Sequence, residues 1–111
     1  MNLLKEVLIV EDDEKIANYL ERTLAARGYV ITGKVKTGEE AIVMVATHNP
    51  DMVLMNLSIS GKLSGIQSAY YITHLFDVPI IFITGLTDDT IIQQAIATEP
   101  YGLIILSLIH I

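Results

Sequence analysis

The chain has 111 residues, of which 51% are hydrophobic, 18% charged and 6% aromatic, with a net charge of -6 at pH 7 and no cysteine. That length holds one domain with one core, and so large an apolar share argues against disorder. The acidity disfavours a nucleic-acid partner, which needs a basic face, and the lack of thiols excludes disulfides and thiolate metal sites.

Val7 to Val10 is the first apolar, β-branched run and reads as a strand buried on both faces. Ile16, Leu20 and Leu24 then recur at helical spacing, and Gly28 stands where a helix C-terminal cap is expected. Tyr29 to Val35 reads as a second strand. Thr37-Gly-Glu-Glu40 has capping-box form and opens a helix whose stripe is Ala41, Val45 and Ala46. Met52 to Met55 reads as a third strand. Ser64-Gly-Ile-Gln67 opens another helix, with Ile66, Ala69, Tyr70 and Thr73 as its stripe. Pro79 to Ile83 is a fourth strand, Ile92, Ala95 and Ile96 a fourth helical stripe, and Leu103 to Ile105 a fifth strand. Strands alternating with helices over short connections predict an α/β fold with a parallel sheet and helices on both faces.

In such a sheet the working crevice lies at the carboxyl ends of the strands. Glu11, Asp12 and Asp13 follow the first strand, Asn56, Leu57 and Ser58 the third, and Thr84-Gly85 the fourth. Grouped acids there suit a hard cation such as Mg²⁺, and the Thr84 hydroxyl suits an anion held nearby. Acids ahead of a helix also cap its amides, so an acidic trio by itself fits either role. His48, His74 and His110 show no ligand spacing. Ser58 and Ser60 lack a neighbouring base, Gly61 and Gly65 read as turn residues, Asp51 lies at the opposite edge, and Met44, Met52 and Met55 read as core.

Val7-Leu-Ile-Val-Glu-Asp-Asp13, Asn49-Pro-Asp-Met-Val-Leu-Met55, Asp77-Val-Pro-Ile-Ile-Phe-Ile-Thr-Gly85 and Glu99-Pro-Tyr-Gly102 together resemble, in order and spacing, the receiver domains of two-component response regulators. The likeness covers Leu3 to Ile105. It implies a flavodoxin-like, doubly wound, five-stranded sheet of order 2-1-3-4-5. It also implies a phosphorelay in which a sensor histidine kinase, or another signalling protein, is the partner. Within the family a phosphoryl group passes to an aspartate after the third strand, beside Mg²⁺. On that resemblance the metal ligands are Glu11, Asp12 and the backbone carbonyl of Ser58, with Asn56 a weak further ligand, and Thr84 is the switch hydroxyl.

The departures from the family pattern are informative. Asn56 occupies the phosphoacceptor position, and an amide cannot form the acyl phosphate that a carboxylate forms. Losing one of three negative charges should also weaken Mg²⁺ binding. Leu103 stands where the family has a rotating aromatic, while Ser64, where an aspartate is common, reads as only a cap. Leu106 stands where a lysine pairs with the phosphoryl oxygens, but it belongs to the terminal hexapeptide and says nothing of the natural protein.

Leu106-Ser-Leu-Ile-His-Ile111 is also the in-frame translation of a transposon end used to tag DNA for sequencing. The expected domain is therefore residues 1–105, incomplete at its carboxyl end and lacking the final helix, with 106–111 as adapter read-through. Without that helix, apolar side chains of the central strands would face water and favour association. No apolar run reaches the roughly 18 to 20 residues of a membrane helix, and the start lacks the form of a signal peptide, so a cytoplasmic location without membrane contact is expected.

The sequence thus favours a pseudo-receiver, a protein-binding module and not an enzyme. A phosphorylation-competent receiver, with Asn56 an error or converted to aspartate, is the alternative. A small Mg²⁺-dependent flavodoxin-like enzyme ranks below both, because no nucleophile or phosphate loop accompanies the acids.

Overall fold

The computed structural model describes residues 5–59, 61–85, 93–94 and 96, and the backbone of 102–105. Its elements are β1 (Glu6–Val10), α1 (Glu14–Ala26), β2 (Val30–Val35), α2 (Gly38–His48), β3 (Met52–Asn56), α3 (Gly65–Phe76), β4 (Ile80–Thr84) and β5 (Gly102–Ile105). The strands form one parallel sheet, β2-β1-β3-β4-β5. The first four in that order carry described side chains, while β5 is placed by its backbone pairing, Phe82 with Leu103 among others. This is the flavodoxin-like α/β architecture.

Local chemistry explains the boundaries. Asp13 caps α1, its carboxylate accepting from the amides of Lys15 and Ile16 at 2.9 and 3.1 Å. At the far end Gly28 adopts φ 92°, which a side chain would resist. This lets the Gly28 and Tyr29 amides donate back to Ala25 and Leu24. Ser64 and Gln67 close a reciprocal capping box on α3. The Thr37 cap differs from the expected box: Glu40 reaches the Lys36 amide and the Thr37 hydroxyl. Asn49 and Asp77 end α2 and α3 in left-handed geometry, which their short polar side chains tolerate.

The core has two faces. On one, α2 and α3 cover Leu8, Val10, Val53, Met55, Ile80 and Phe82. On the other, Ala17, Leu20 and Leu24 of α1 pack with Val7, Ile9, Leu54 and Ile83. The expectation that central-strand side chains would face water on this second face is not met. Val7, Ile9, Leu54 and Ile83 are all buried, packed in one cluster with the α1 stripe.

Two predicted stripes are met in part, with Ala41 and Val45 on α2 and Ala69 on α3 buried as expected and Ile66 packed against the core. Ala46 and Tyr70 are exposed, and the buried positions are Gly38, Ala41 and Val45 on α2, with Gly65, Ser68, Ala69 and Ile72 on α3. The reason is a close helix crossing. A Cβ on Gly38 would fall within 1.7 Å of the Ser68 hydroxyl, so small residues mark the contact line and the larger Tyr70 lies outside it. The stripe at Ile92, Ala95 and Ile96 falls largely outside the described residues, and Ile96 is exposed. Residues 106–111, with Leu106 and His110, also lie outside them.

Candidate functional site

The carboxyl ends of β1, β3 and β4 carry Glu11 and Asp12, Asn56, and Thr84. β1 pairs with β3 through Val10 and Met55, so the residues that follow sit side by side. Asn56 pairs with Ile83, which brings Thr84 to the same edge. The ladder extends past the strands, with Glu11 N–H donating to Val35 O at 2.9 Å and Leu57 N–H to Ile83 O at 3.0 Å. Gly65, at the start of α3, lies so close to the carbonyls of Asn56 and Leu57 that a Cβ there would sit 3.0–3.1 Å from them. Helix α3 therefore seats directly on the backbone that presents residue 56.

The acidic trio divides by role. Asp13 is the helix cap, the structural use that the sequence left open. Glu11 turns inward and is only 3% exposed. Its Oε2 accepts from the Asp13 amide at 3.0 Å and its Oε1 from Nδ2 of Asn56 at 2.7 Å. Burial raises the Glu11 carboxyl pKa above its ordinary value, and the neighbouring Asp12 carboxylate adds to the rise. The two donated hydrogen bonds oppose it. Asp12 is half-buried beside Glu11, and Thr84 is fully buried.

The Asn56 amide is oriented from both sides. Its Oδ1 accepts from the Ser58 amide at 2.8 Å, and its Nδ2 donates to the Glu11 carboxylate. Ser58 N–H is only a donor, so turning the amide over would set two donors against each other there.

That orientation tests the expected cation site. A cation held by Glu11 and Asn56 needs oxygens from both directed at one point, yet the amide presents N–H to Glu11 and commits its oxygen to Ser58. Among the described residues no group of three or more His, Cys, Asp or Glu side chains comes together in a way that could hold a metal ion. As folded, Glu11 and Asn56 do not offer Mg²⁺ two oxygens directed at one point.

One contact was not read from the sequence. Glu39, in the first turn of α2, accepts from the Leu63 amide at 2.6 Å and so ties the loop after β3 to α2. Backbone hydrogen bonds, that of Leu63 foremost, hold its carboxyl below the ordinary range. An acid in a helix's first turn was its only signal. The remaining candidates are ordinary. Asp51 accepts from the Glu6 amide at the opposite sheet edge, His48 bonds Thr47, and His74 stacks on Tyr70. Met55 is buried, and Met44 and Met52 pack against the core.

A family model for the response regulator receiver domain matches residues 7–105. Transcriptional regulatory protein PdtaR of Mycobacterium tuberculosis is 31% identical over 91 residues, covering 82% of this chain and 44% of the relative. Uncharacterized transcriptional regulatory protein YrkP of Bacillus subtilis is 36% identical over 79 residues, covering 71% and 33%. The chain thus spans less than half the length of these relatives. Among solved structures, the signal receiver domain of a modulated diguanylate cyclase from Desulfovibrio desulfuricans G20 aligns at TM-score 0.86 and 35% identity, covering 90% of this chain and 79% of that one. The response regulator domain of Thermotoga maritima CheB, at TM-score 0.83 and 22% identity over 95% and 84%, shares the fold.

Proposed function

The chain belongs to the response regulator receiver domain family, and on that premise we propose that it is a pseudo-receiver: a phosphorelay module that acts by binding proteins and takes no phosphoryl group at residue 56. One observation carries this reading, the Asn56 amide with Nδ2 on Glu11 and Oδ1 on the Ser58 amide. Phosphoryl transfer to this position requires an oxygen nucleophile with a free lone pair aimed at phosphorus. The amide nitrogen's lone pair is delocalised into the carbonyl, and the carbonyl oxygen is already engaged. Thr84 remains in the family's place for the hydroxyl beside that group.

The partner class is a sensor histidine kinase or another signalling protein, met in the cytoplasm. Among the described residues no helix is long and apolar enough to cross a membrane. As the family resemblance implies, the working surface is the face of the fourth helical stripe, Ile92, Ala95 and Ile96, together with the fifth strand. With no charge to add, the balance between conformations is set by the sequence and by the bound partner. Mg²⁺ affinity is low, since one of three charges is gone and the amide is turned away.

The alternative is a receiver whose chemistry returns once residue 56 is a carboxylate, and the retained Glu11, Asp12 and Thr84 favour it. Spontaneous deamidation at Asn56 is disfavoured because Leu57 follows it. Incubation with acetyl phosphate and MgCl₂, followed by intact-protein mass measurement, separates the two. The unaltered chain is expected to gain no phosphoryl mass and Asn56→Asp to gain one. A phosphorylated residue 56 in the unaltered chain would overturn the pseudo-receiver.

A further inference from the structure

Glu11 is a buried carboxylate at the junction of β1 and β3, and such a group needs donors or a cation to offset its desolvation. Both of its oxygens have donors: the Asp13 amide on Oε2 and Nδ2 of Asn56 on Oε1. The second is the one that crosses between strands, linking residues 45 apart in sequence. Ser58 N–H, on the other side of the amide, holds it in the orientation that keeps N–H toward the acid.

We propose that the Asn56 amide stands in for a divalent cation, tying β1 to β3 through Glu11, so that Mg²⁺ neither stabilises the folded domain nor shifts its conformation. The inference rests on the pseudo-receiver reading and goes beyond it, from a disabled acceptor to a pocket completed without an ion. An aspartate in the same rotamer would set a carboxylate oxygen 2.7 Å from Glu11 Oε1 with no proton between them. Two carboxylates at that separation share a proton or take up a cation. Residue 56 therefore decides whether this edge depends on an ion. With the amide, the edge presents one surface to its partners at any Mg²⁺ concentration.

The test is thermal unfolding of the chain and of Asn56→Asp, in EDTA, in millimolar MgCl₂, and in KCl of matched ionic strength. The unaltered chain is expected to melt at the same temperature in all three. Asn56→Asp is expected to melt lower in EDTA and to gain at least about 4 °C from MgCl₂. A Mg²⁺-specific rise in the unaltered chain overturns the proposal, as does an Asn56→Asp protein indifferent to Mg²⁺. If that variant does not fold, Mn²⁺ added to the unaltered chain decides. Paramagnetic broadening of the Asp12 and Leu57 amide signals at sub-stoichiometric Mn²⁺ overturns the proposal, and their persistence supports it. A chain that binds Mg²⁺ yet takes no phosphoryl group loses this inference and keeps the pseudo-receiver; phosphorylation at residue 56 removes the pseudo-receiver itself.

Discussion

Strand β3 is tied to β1 by a side chain at each end, and the two ties are built from opposite chemistry. At the amino end Asp51 accepts from the Glu6 backbone amide at 2.8 Å, in an exposed position. At the carboxyl end Asn56 donates to the Glu11 carboxylate at 2.7 Å, in a half-buried one. Where the partner is a backbone N–H, an acid suffices. Where the partner is itself an acid, the side chain must bring the proton, and asparagine does. The same amide-for-carboxylate exchange therefore has opposite consequences at positions five residues apart.

The second tie is most vulnerable through the backbone beneath it. Gly65→Val would drive a side chain into the carbonyls of Asn56 and Leu57, which cannot yield as a flexible side chain would. A loss of about 3 kcal/mol in urea unfolding is expected, the upper part of the usual range for overpacking. Asn56→Ala removes the donor and leaves Glu11 short of a partner, with an expected loss of about 2 kcal/mol. Asp51→Asn keeps an acceptor for the Glu6 amide and should stay within about 0.5 kcal/mol of the unaltered chain, as exposed substitutions usually do. Equal costs for the last two, by the same denaturant titration, would show that the ties do not differ.

The pH dependence is the subtlest discriminator, and its two parts have opposite signs. The folded-state pKa of Glu11 lies above 4.5, so its contribution is fully present below 4.5 and is lost as pH rises through the folded value. Glu39 is shifted down from 4.5, so its contribution is present above 4.5 and is lost as pH falls through the folded value. Glu11→Gln should therefore flatten the stability profile above 4.5, and Glu39→Gln should flatten it on the acid side. Chemical denaturation across that range reads both.

Much of the frame was legible because it depends on neighbours in sequence. The five strands lie within a residue of their apolar runs, and Gly28 and Ser64 mark helix ends through contacts spanning a few residues. On α2 and α3 the buried Ala41, Val45 and Ala69 were legible, but Gly38, Gly65, Ser68 and Ile72 were not, since the close approach at Gly38 and Ser68, thirty positions apart, sets the contact line. The site was half legible. Glu11, Asp12 and Asp13 look alike in a row, and only the fold turns the first inward and makes the last a cap. Asn56 was visible as a missing nucleophile. Its role as a donor was not, because that role depends on the Glu11 oxygen and the Ser58 amide that flank it in space.

The measurement closest to this point is the side-chain amide signal of Asn56 in ¹⁵N-labelled protein, with Glu11→Gln as the reference. One Nδ2 proton protected from solvent exchange, unmoved by MgCl₂ and altered in Glu11→Gln, is the result expected. Two freely exchanging protons, or a signal displaced by MgCl₂, would contradict the account.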